Sequence, residues 1–290
     1  MSRLPGPDAD TVLAGVIGSP VRHSLSPLLH NAAFDALGLN WVSLAFEVPA
    51  GAAAGALEGV RALGLGGLSV TMPHKAEVAA LVDRRTGGAE RLGAVNSIRL
   101  VGDELWGANT DGEGFVTSLR RGAGFDPAGR RALVVGAGGA ARAVILALAE
   151  AGAAAVAVLN RTAVRAEEAA ALAGAAGHVV GSAPGELEET VARADLVVQA
   201  TPVGMEGVAG ADAGRGDLPG LAGLLGPGQV AADLVYVPRP TPWLRAAAAA
   251  GATVVDGLGM LVHQAAVQIE WWTGLEAPVE AMWRAASSAP

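Results

Sequence analysis

Short β-branched runs alternate with longer alanine-rich runs along the whole chain. Apolar runs of four to eight residues bounded by Gly, Pro or Asp read as strands. Longer runs with apolar positions three and four apart read as helices. Strands are predicted at Thr11–Gly18, Trp41–Val48 and Leu68–Thr71, with helices at Pro27–Leu39, Ala52–Leu63 and Lys75–Val82. Ser97–Val101 and Glu104–Ala108 read as a hairpin around Gly102-Asp103. A helix at Gly112–Arg121 leads to a Gly/Pro-containing break at Gly122–Gly129.

Beyond the break the rhythm is stricter. Strands at Ala132–Val135, Ala155–Leu159, His178–Gly181, Leu196–Ala200, Gln229–Val235 and Thr253–Asp256 alternate with helices at Gly139–Ala151, Ala163–Leu172, Leu187–Ala192 and Pro242–Ala250. Gly207–Gly220 reads as a Gly/Asp-rich loop, and Met260–Trp272 and Pro278–Ala286 as closing helices. Strand-then-helix alternation implies an α/β protein with largely parallel sheets.

Composition narrows the class. A chain of 290 residues suggests two domains at ~150 residues each. With 51% hydrophobic and 17% charged residues, it can build a sizeable core and is not a disordered polymer. Apolar stretches such as Val144–Ala149 fall far short of the ~20 residues that span a bilayer. Met1–Thr11 carries Pro, Gly and Asp where a signal peptide needs an apolar core, so a cytoplasmic location is expected. The absence of Cys excludes a disulfide scaffold, a thiolate metal site and a cysteine nucleophile. A net charge of −8 argues against nucleic acid as a partner.

One feature of the charge is sharper. The 20 basic residues are all arginine except Lys75. Arginine keeps its proton at any working pH, whereas a lysine can be tuned for proton transfer. The residual lysine is therefore a candidate for chemistry.

Arg131–Gly136 reads as a strand ending in Gly136-Ala137-Gly138-Gly139-Ala140-Ala141-Arg142, with a helix directly after it. This fits G-x-G-x-x-A in strand–turn–helix context. Gly136 permits the tight turn, Gly138 lets backbone N–H groups approach a pyrophosphate, and Ala141 lets the helix pack close to the strand. The phosphates then lie at the positive end of a helix. The next strand ends at Leu159. A site for NAD would place an acid near there for the ribose 2′-hydroxyl. Here stand Asn160, Arg161 and Thr162, with Arg165 one turn later. Two guanidinium groups and no acid suit a 2′-phosphate, so NADP is expected rather than NAD.

Four further segments concentrate the scarce polar residues. They are Gly18–Pro27, continuing to His30-Asn31; Ser69–Lys75; Ala94–Ser97 with Asn109–Gly112; and Gly257–Gln264. Together with Gln199–Met205 and Asp233–Tyr236, and in this order, they closely resemble the shikimate dehydrogenase family. The resemblance implies an N-terminal α/β substrate domain, residues 1–110 completed by helices in 258–290. It also implies a Rossmann-like NADP-binding domain, residues 111–257, with a cleft between the two. The implied reaction is reversible hydride transfer between NADPH and the ring carbonyl of 3-dehydroshikimate, giving shikimate on the route to chorismate and the aromatic amino acids.

Carried over by motif, Lys75 and Asp111 form the catalytic pair. Ser24 and Ser26 match the serines that hold the substrate carboxylate, and Thr71, Asn96, Asp111, Tyr236 and Gln264 match substrate-contacting positions. Gly136, Ala137, Gly138, Gly139, Ala140, Asn160, Arg161, Thr162, Arg165, Thr201 and Leu234 match cofactor positions, as do Gly257 and Met260 beside the nicotinamide. Gln199 stands where the family more often has Asn, and Thr86-Gly87-Gly88 lacks an acid often found after that threonine.

The chemistry agrees with the resemblance. Ketone reduction needs a hydride donor on one side and a proton donor at the developing alkoxide. An ammonium at Lys75 supplies both the proton and the positive field, and Asp111 would orient it. No metal is needed, and no His/Asp/Glu spacing suggests one. A chain of charge −8 does not attract an anion, so local donors must hold the carboxylate, and the hydroxyls that the resemblance assigns to it, on Ser24, Ser26 and Tyr236, fit that need.

Other readings stay open. Ser24 or Ser26 can cap the helix at Pro27. Asn96 can be a turn residue, and Asn109–Asp111 an N-cap. Glycines near Thr110–Gly114 and Gly257–Gly259 can serve as hinges. His23, His30, His74 and His263 read as structural, and His178 as a surface residue. Quinate or aminoshikimate is the alternative substrate, a non-catalytic NADP-binding regulator the alternative class, and the assembly is a monomer or homodimer.

Overall fold

The computed structural model describes residues 6–181, 183–205 and 218–288. Two compact units divide the chain: Met1–Thr110 with Val262–Pro290, and Asp111–Leu261.

The first unit runs β1 (Val12–Gly18), α1 (Ser26–Leu37), β2 (Trp41–Glu47), α2 (Ala53–Leu63), β3 (Gly67–Val70), α3 (Lys75–Leu81), β4 (Arg84–Arg85), α4 (Gly87–Leu92), β5 (Ser97–Val101) and β6 (Glu104–Ala108). Its sheet order is β2-β1-β3-β5-β6-β4. β1, β2 and β3 are parallel, whereas β5 joins β3 and β6 antiparallel, so this sheet is mixed. Ile17, Leu68, Val70, Ile98 and Leu105 pack with Leu57 and Val60 of α2 and Val78 of α3. Strand β2 is an edge, a position exposed to unwanted pairing. Asn31 of α1 meets it there: Ser43 N–H donates to Asn31 Oδ1 at 2.7 Å, and Asn31 Nδ2 donates to the Ser43 carbonyl at 3.0 Å. Helix α1 begins one residue before the expected Pro27. Its N-cap is Leu25 and no side chain caps it, so neither serine has that role. Ser24 Oγ accepts from Ser26 N–H at 3.2 Å instead.

The second unit runs α5 (Asp111–Ala123), β7 (Arg131–Val135), α6 (Gly139–Glu150), β8 (Ala155–Leu159), α7 (Ala163–Ala171), a 3₁₀ turn (Gly174–Ala176), β9 (Gly177–Val179), α8 (Pro184–Arg193), β10 (Leu196–Gln199), α9 (Leu218–Gly223), β11 (Val230–Asp233), α10 (Pro242–Ala249) and β12 (Thr253–Val255). All strands are parallel, in the order β12-β11-β10-β7-β8-β9. Counted from β7, that is the doubly wound order 3-2-1-4-5-6, with the switch point between β7 and β10. Both faces are covered, as a parallel sheet requires. Along β7, Ala132 and Val134 enter one core and Leu133 and Val135 the other. Ala141, Val144, Ile145 and Leu148 form the buried stripe of α6 against the first.

The chain closes with α11 (Gly257–Thr273) and α12 (Val279–Ser287). The loop expected at Gly207–Gly220 lies outside the described residues up to 217, and its last three residues begin α9. Helix α11 starts three residues before the expected Met260, because Asp256 Oδ1 accepts from Leu258 N–H at 3.1 Å and initiates the turn earlier. Among the described residues no helix is long and apolar enough to cross a membrane.

Candidate active site

In the first unit, β1 and β3 end side by side, and the segments leaving them carry the polar motifs. Thr71 N–H donates to the Ile17 carbonyl and Ser19 N–H to the Met72 carbonyl, both at 2.9 Å. These bonds seat the Thr71–His74 turn against Gly18-Ser19. His74 is fully buried and meets the Val48 carbonyl at 2.7 Å through Nε2. Lys75 follows, half-buried in the first turn of α3. Its carbonyl accepts from Val95 N–H at 2.9 Å, which sets Asn96 one residue away.

Asn96 is no ordinary turn residue. It is fully buried, its N–H donates to the Ala108 carbonyl, and its carbonyl accepts from Val70 N–H. Thr110 N–H donates to Asn96 Oδ1 at 2.9 Å, and Asn96 Nδ2 donates to Thr110 Oγ1 at 3.0 Å. Thr110 Oγ1 donates to the Gln264 carbonyl at 3.0 Å. Asn96 Nδ2 also lies 3.5 Å from Gln264 Oε1, which accepts from Gln268 Nε2 at 2.9 Å. Asn96 and Gln264 are thus brought together, with Thr110 and Gln268 between and behind them. Neither of the latter stood out in the sequence. Thr110 lay inside a motif without a role, and Gln268, one turn after Gln264, was the only hint of a pair. Asp111, buried and covalently next to Thr110, opens α5 of the second unit.

In the second unit the dinucleotide motif lies at the switch point. Gly136 has φ +118°, and a Cβ there would lie 3.0 Å from the Ala200 carbonyl oxygen and 3.2 Å from Thr201 Cγ2. The turn after β7 and the loop after β10 are therefore in contact only because residue 136 is glycine. Gly138 N-caps α6 in an extended conformation with no side-chain cap, and no acid stands in the first turn. Among the described residues nothing lies within 4 Å of a Cβ built at Gly138 or Gly139. The helix end, flanked by Ala137 and Ala140, is a bare set of N–H donors beside open space, which fits a pyrophosphate.

At the tip of β8, Asn160 Nδ2 donates to the Thr162 carbonyl at 3.0 Å and shapes the turn into α7. Arg161 and Arg165 are exposed, and among the described residues neither has an ion-pair partner. Unpaired cations at a helix N-terminus oppose the helix dipole, and no acid of the first turn offsets them. A 2′-phosphate would supply the missing anion, so the residues present fit NADP.

Gln199, the departure from the usual Asn, is fully buried and fully engaged. Its Oε1 accepts from Thr201 N–H at 2.6 Å and Thr201 Oγ1 at 2.7 Å, while its Nε2 donates to the carbonyls of Thr201 and Val203. Leu234 and Gly257 are pressed together: a Cβ on Gly257 would meet the Leu234 carbonyl oxygen at 2.3 Å. A Cβ on Gly112 would lie 2.8 Å from the Ala143 carbonyl oxygen, and one on Gly259 would meet Ser118. These three glycines lie within helices α5 and α11, where close packing rather than a hinge accounts for them. Met260 belongs to the same buried core as Phe115 and Leu119. Tyr236 is half-buried, which raises its phenol above its ordinary value.

The family model for the shikimate dehydrogenase substrate binding domain matches residues 16–98. Those for shikimate / quinate 5-dehydrogenase and for the shikimate 5′-dehydrogenase C-terminal domain match 121–205 and 257–286. A shikimate dehydrogenase (NADP(+)) of Methanopyrus kandleri is 47% identical over 281 residues, 95% of this chain and 94% of the relative. The chain belongs to the shikimate dehydrogenase family. Solved structures agree with that membership over nearly all of the chain. The family enzyme of Thermus thermophilus, in complex with NADP(H) and shikimate, superposes with a TM-score of 0.82 at 38% identity, covering 95% of this chain and 98% of that one. The enzyme of Listeria monocytogenes, in complex with shikimate and NAD, gives 0.86 at 33% identity, with 97% and 98% covered.

Proposed function

We propose that this chain catalyses the reversible NADP-dependent interconversion of 3-dehydroshikimate and shikimate. The observation that carries the reading is the gathering of Lys75, Asn96, Thr110 and Gln264 on hydrogen-bonded backbone in one unit. The substrate domain is the first unit and the NADP-binding domain the second, with boundaries near residues 110 and 258.

Bound NADPH supplies the hydride. The ammonium of Lys75 provides the positive field at the carbonyl oxygen and gives it a proton as the C–O π bond becomes a hydroxyl. Lys75 is then neutral and is reprotonated from water. Asp111 orients the lysine and favours its charged form. Ser24, Ser26 and Tyr236 hold the carboxylate, and Thr71, Asn96 and Gln264 contact the rest of the ring. Gly136–Ala140 cradle the pyrophosphate, and Arg161, Thr162 and Arg165 take the 2′-phosphate beside Asn160. Thr201, Leu234, Gly257 and Met260 border the rest of the cofactor. The proposed setting is the cytoplasm, as a monomer or homodimer.

The test is turnover of shikimate with NADP against quinate with NAD, including the crossed pairs. The reading expects the highest kcat/KM for shikimate with NADP. No turnover of shikimate, or a higher kcat/KM for quinate, would overturn it.

A further inference from the structure

Strand β11 ends on Asp233, whose side chain is buried at 2% exposure. Its two oxygens take donors from opposite ends of the segment that follows. Oδ1 accepts from Val235 N–H at 3.0 Å, and Oδ2 accepts from Thr241 Oγ1 at 2.6 Å. Thr241 Oγ1 in turn accepts from Leu244 N–H at 3.2 Å and caps α10. The segment 234–241 is thus closed at both ends on one carboxylate, and Tyr236 lies inside it. From β10, Gln199 Nε2 reaches Oδ1 at 3.4 Å, joining the loop that carries Thr201 to the same group.

This is an expensive way to build a turn. Among the described residues no cation pairs with Asp233. The charged group that faces it, Asp256 at the head of α11, is of like sign and lies 3.8 Å from Arg239 of the closed segment. A buried carboxylate without a countercharge weakens a fold. Burial, with Asp256 adding to it, pushes the carboxyl up to about 6. What the carboxylate does offer is two acceptor-only oxygens in fixed geometry, which an amide lacks.

We propose that Asp233 is a positioning residue for the reaction: by closing both ends of segment 234–241 it sets where Tyr236 presents its phenol to the substrate carboxylate. The inference rests on the reading of Tyr236 as a substrate contact.

A double-mutant cycle in the full-length enzyme with NADP tests it. Asp233→Ala, Tyr236→Phe and the double variant are compared for shikimate KM, kcat and the Kd for NADP. Tyr236→Phe and Asp233→Ala should each raise KM by roughly tenfold, the size expected for one charge-assisted hydrogen bond. The double variant should be no worse than about twofold beyond the worse single, because both remove one interaction. Leu234 of the same segment and Thr201 of the joined loop border the cofactor, so Asp233→Ala should raise the Kd for NADP too, but by clearly less than the roughly tenfold rise in KM, while Tyr236→Phe should leave it within about threefold. Asp233→Asn keeps the acceptor for Val235 N–H and should recover part of the loss.

Losses that multiply, or an equal loss of NADP binding, overturn the proposal while leaving the Tyr236 reading intact. An unchanged KM in Tyr236→Phe overturns the Tyr236 reading and the proposal with it. If Asp233→Ala does not fold, the same cycle is run with Thr241→Val, and Thr241→Ser should restore KM.

Discussion

Thr110 and Asn96 hold each other by two hydrogen bonds, Thr110 N–H to Asn96 Oδ1 at 2.9 Å and Asn96 Nδ2 to Thr110 Oγ1 at 3.0 Å. The pair fixes the backbone one residue before Asp111. Asn96→Ala leaves the buried Thr110 N–H without its acceptor. One such orphan costs about 1–3 kcal/mol, so the variant should lose about that much in urea unfolding and raise the shikimate KM. A fully stable variant would show that water replaces the amide and that the pair fixes nothing.

Lys75→Ala removes the proposed proton donor from a half-buried position without opening a core cavity. It should lower kcat by ~10²–10⁴ while KM and the melting temperature change little. Lys75→Arg should not rescue, since a guanidinium does not release its proton at working pH. Asp111→Asn should also be severe, and the double variant should fall well short of the product of the two losses. Near-normal kcat in Lys75→Ala removes the lysine from the mechanism.

Arg161 is exposed just before the N-cap of α7, and among the described residues it has no ion-pair partner. A charge-assisted bond to phosphate contributes roughly 1.5–3 kcal/mol, so Arg161→Ala should weaken NADP binding by roughly 10- to 150-fold. The Kd for NAD should barely move, and the preference should shrink at high salt. The unliganded variant should melt no lower than the parent, because the guanidinium opposes the helix dipole there. Equal losses for both cofactors would instead place Arg161 in support of the pyrophosphate loop.

Local pattern carried much of the fold. The hairpin strands Ser97–Val101 and Glu104–Ala108 and strand Ala155–Leu159 have the expected bounds, because alternation and turn residues decide such elements within a few positions. Helix α4 at Gly87–Leu92 was hidden behind a Gly-Gly pair that reads as loop, and the core it joins through Ala89 holds residues as far away in sequence as Ile17 and Leu57. Gly257 advertised freedom in the sequence, yet what it provides is room for the Leu234 carbonyl, which no local pattern contains. The site divides the same way. Motif residues such as Lys75 and Gln264 were legible, whereas Thr110, Thr241 and Gln268 matter through bonds to distant partners. Thr241 precedes a proline at the first helical position, a pattern that could have marked it as the cap of α10.

His30 and Asp233 move stability in opposite directions over one pH window. Burial among Phe34 and Trp272 lowers the His30 imidazole from 6.5 to about 4. The unfolded chain therefore binds that proton first, and the His30 contribution, complete above pH 6.5, is lost as pH falls toward 4. Burial raises Asp233 from 3.8 to about 6, so there the folded chain binds the proton first. The penalty on its carboxylate is complete above pH 6 and is relieved as pH falls toward 3.8. Each displacement is worth about 3 kcal/mol at about 1.36 kcal/mol per pH unit. Asp83 and Asp126, held below 3.8 by hydrogen bonds, lose their contributions only below this window. In a whole-chain measurement the two effects largely cancel. They belong to different units, His30 to the first and Asp233 to the second. Calorimetry between about pH 7 and pH 4 should therefore resolve a first-unit transition that falls on acidification and a second-unit transition that holds or rises. His30→Asn should flatten the fall, and Asp233→Asn the rise. Two transitions that descend together, unaltered by either variant, would mean that neither group titrates as its burial dictates.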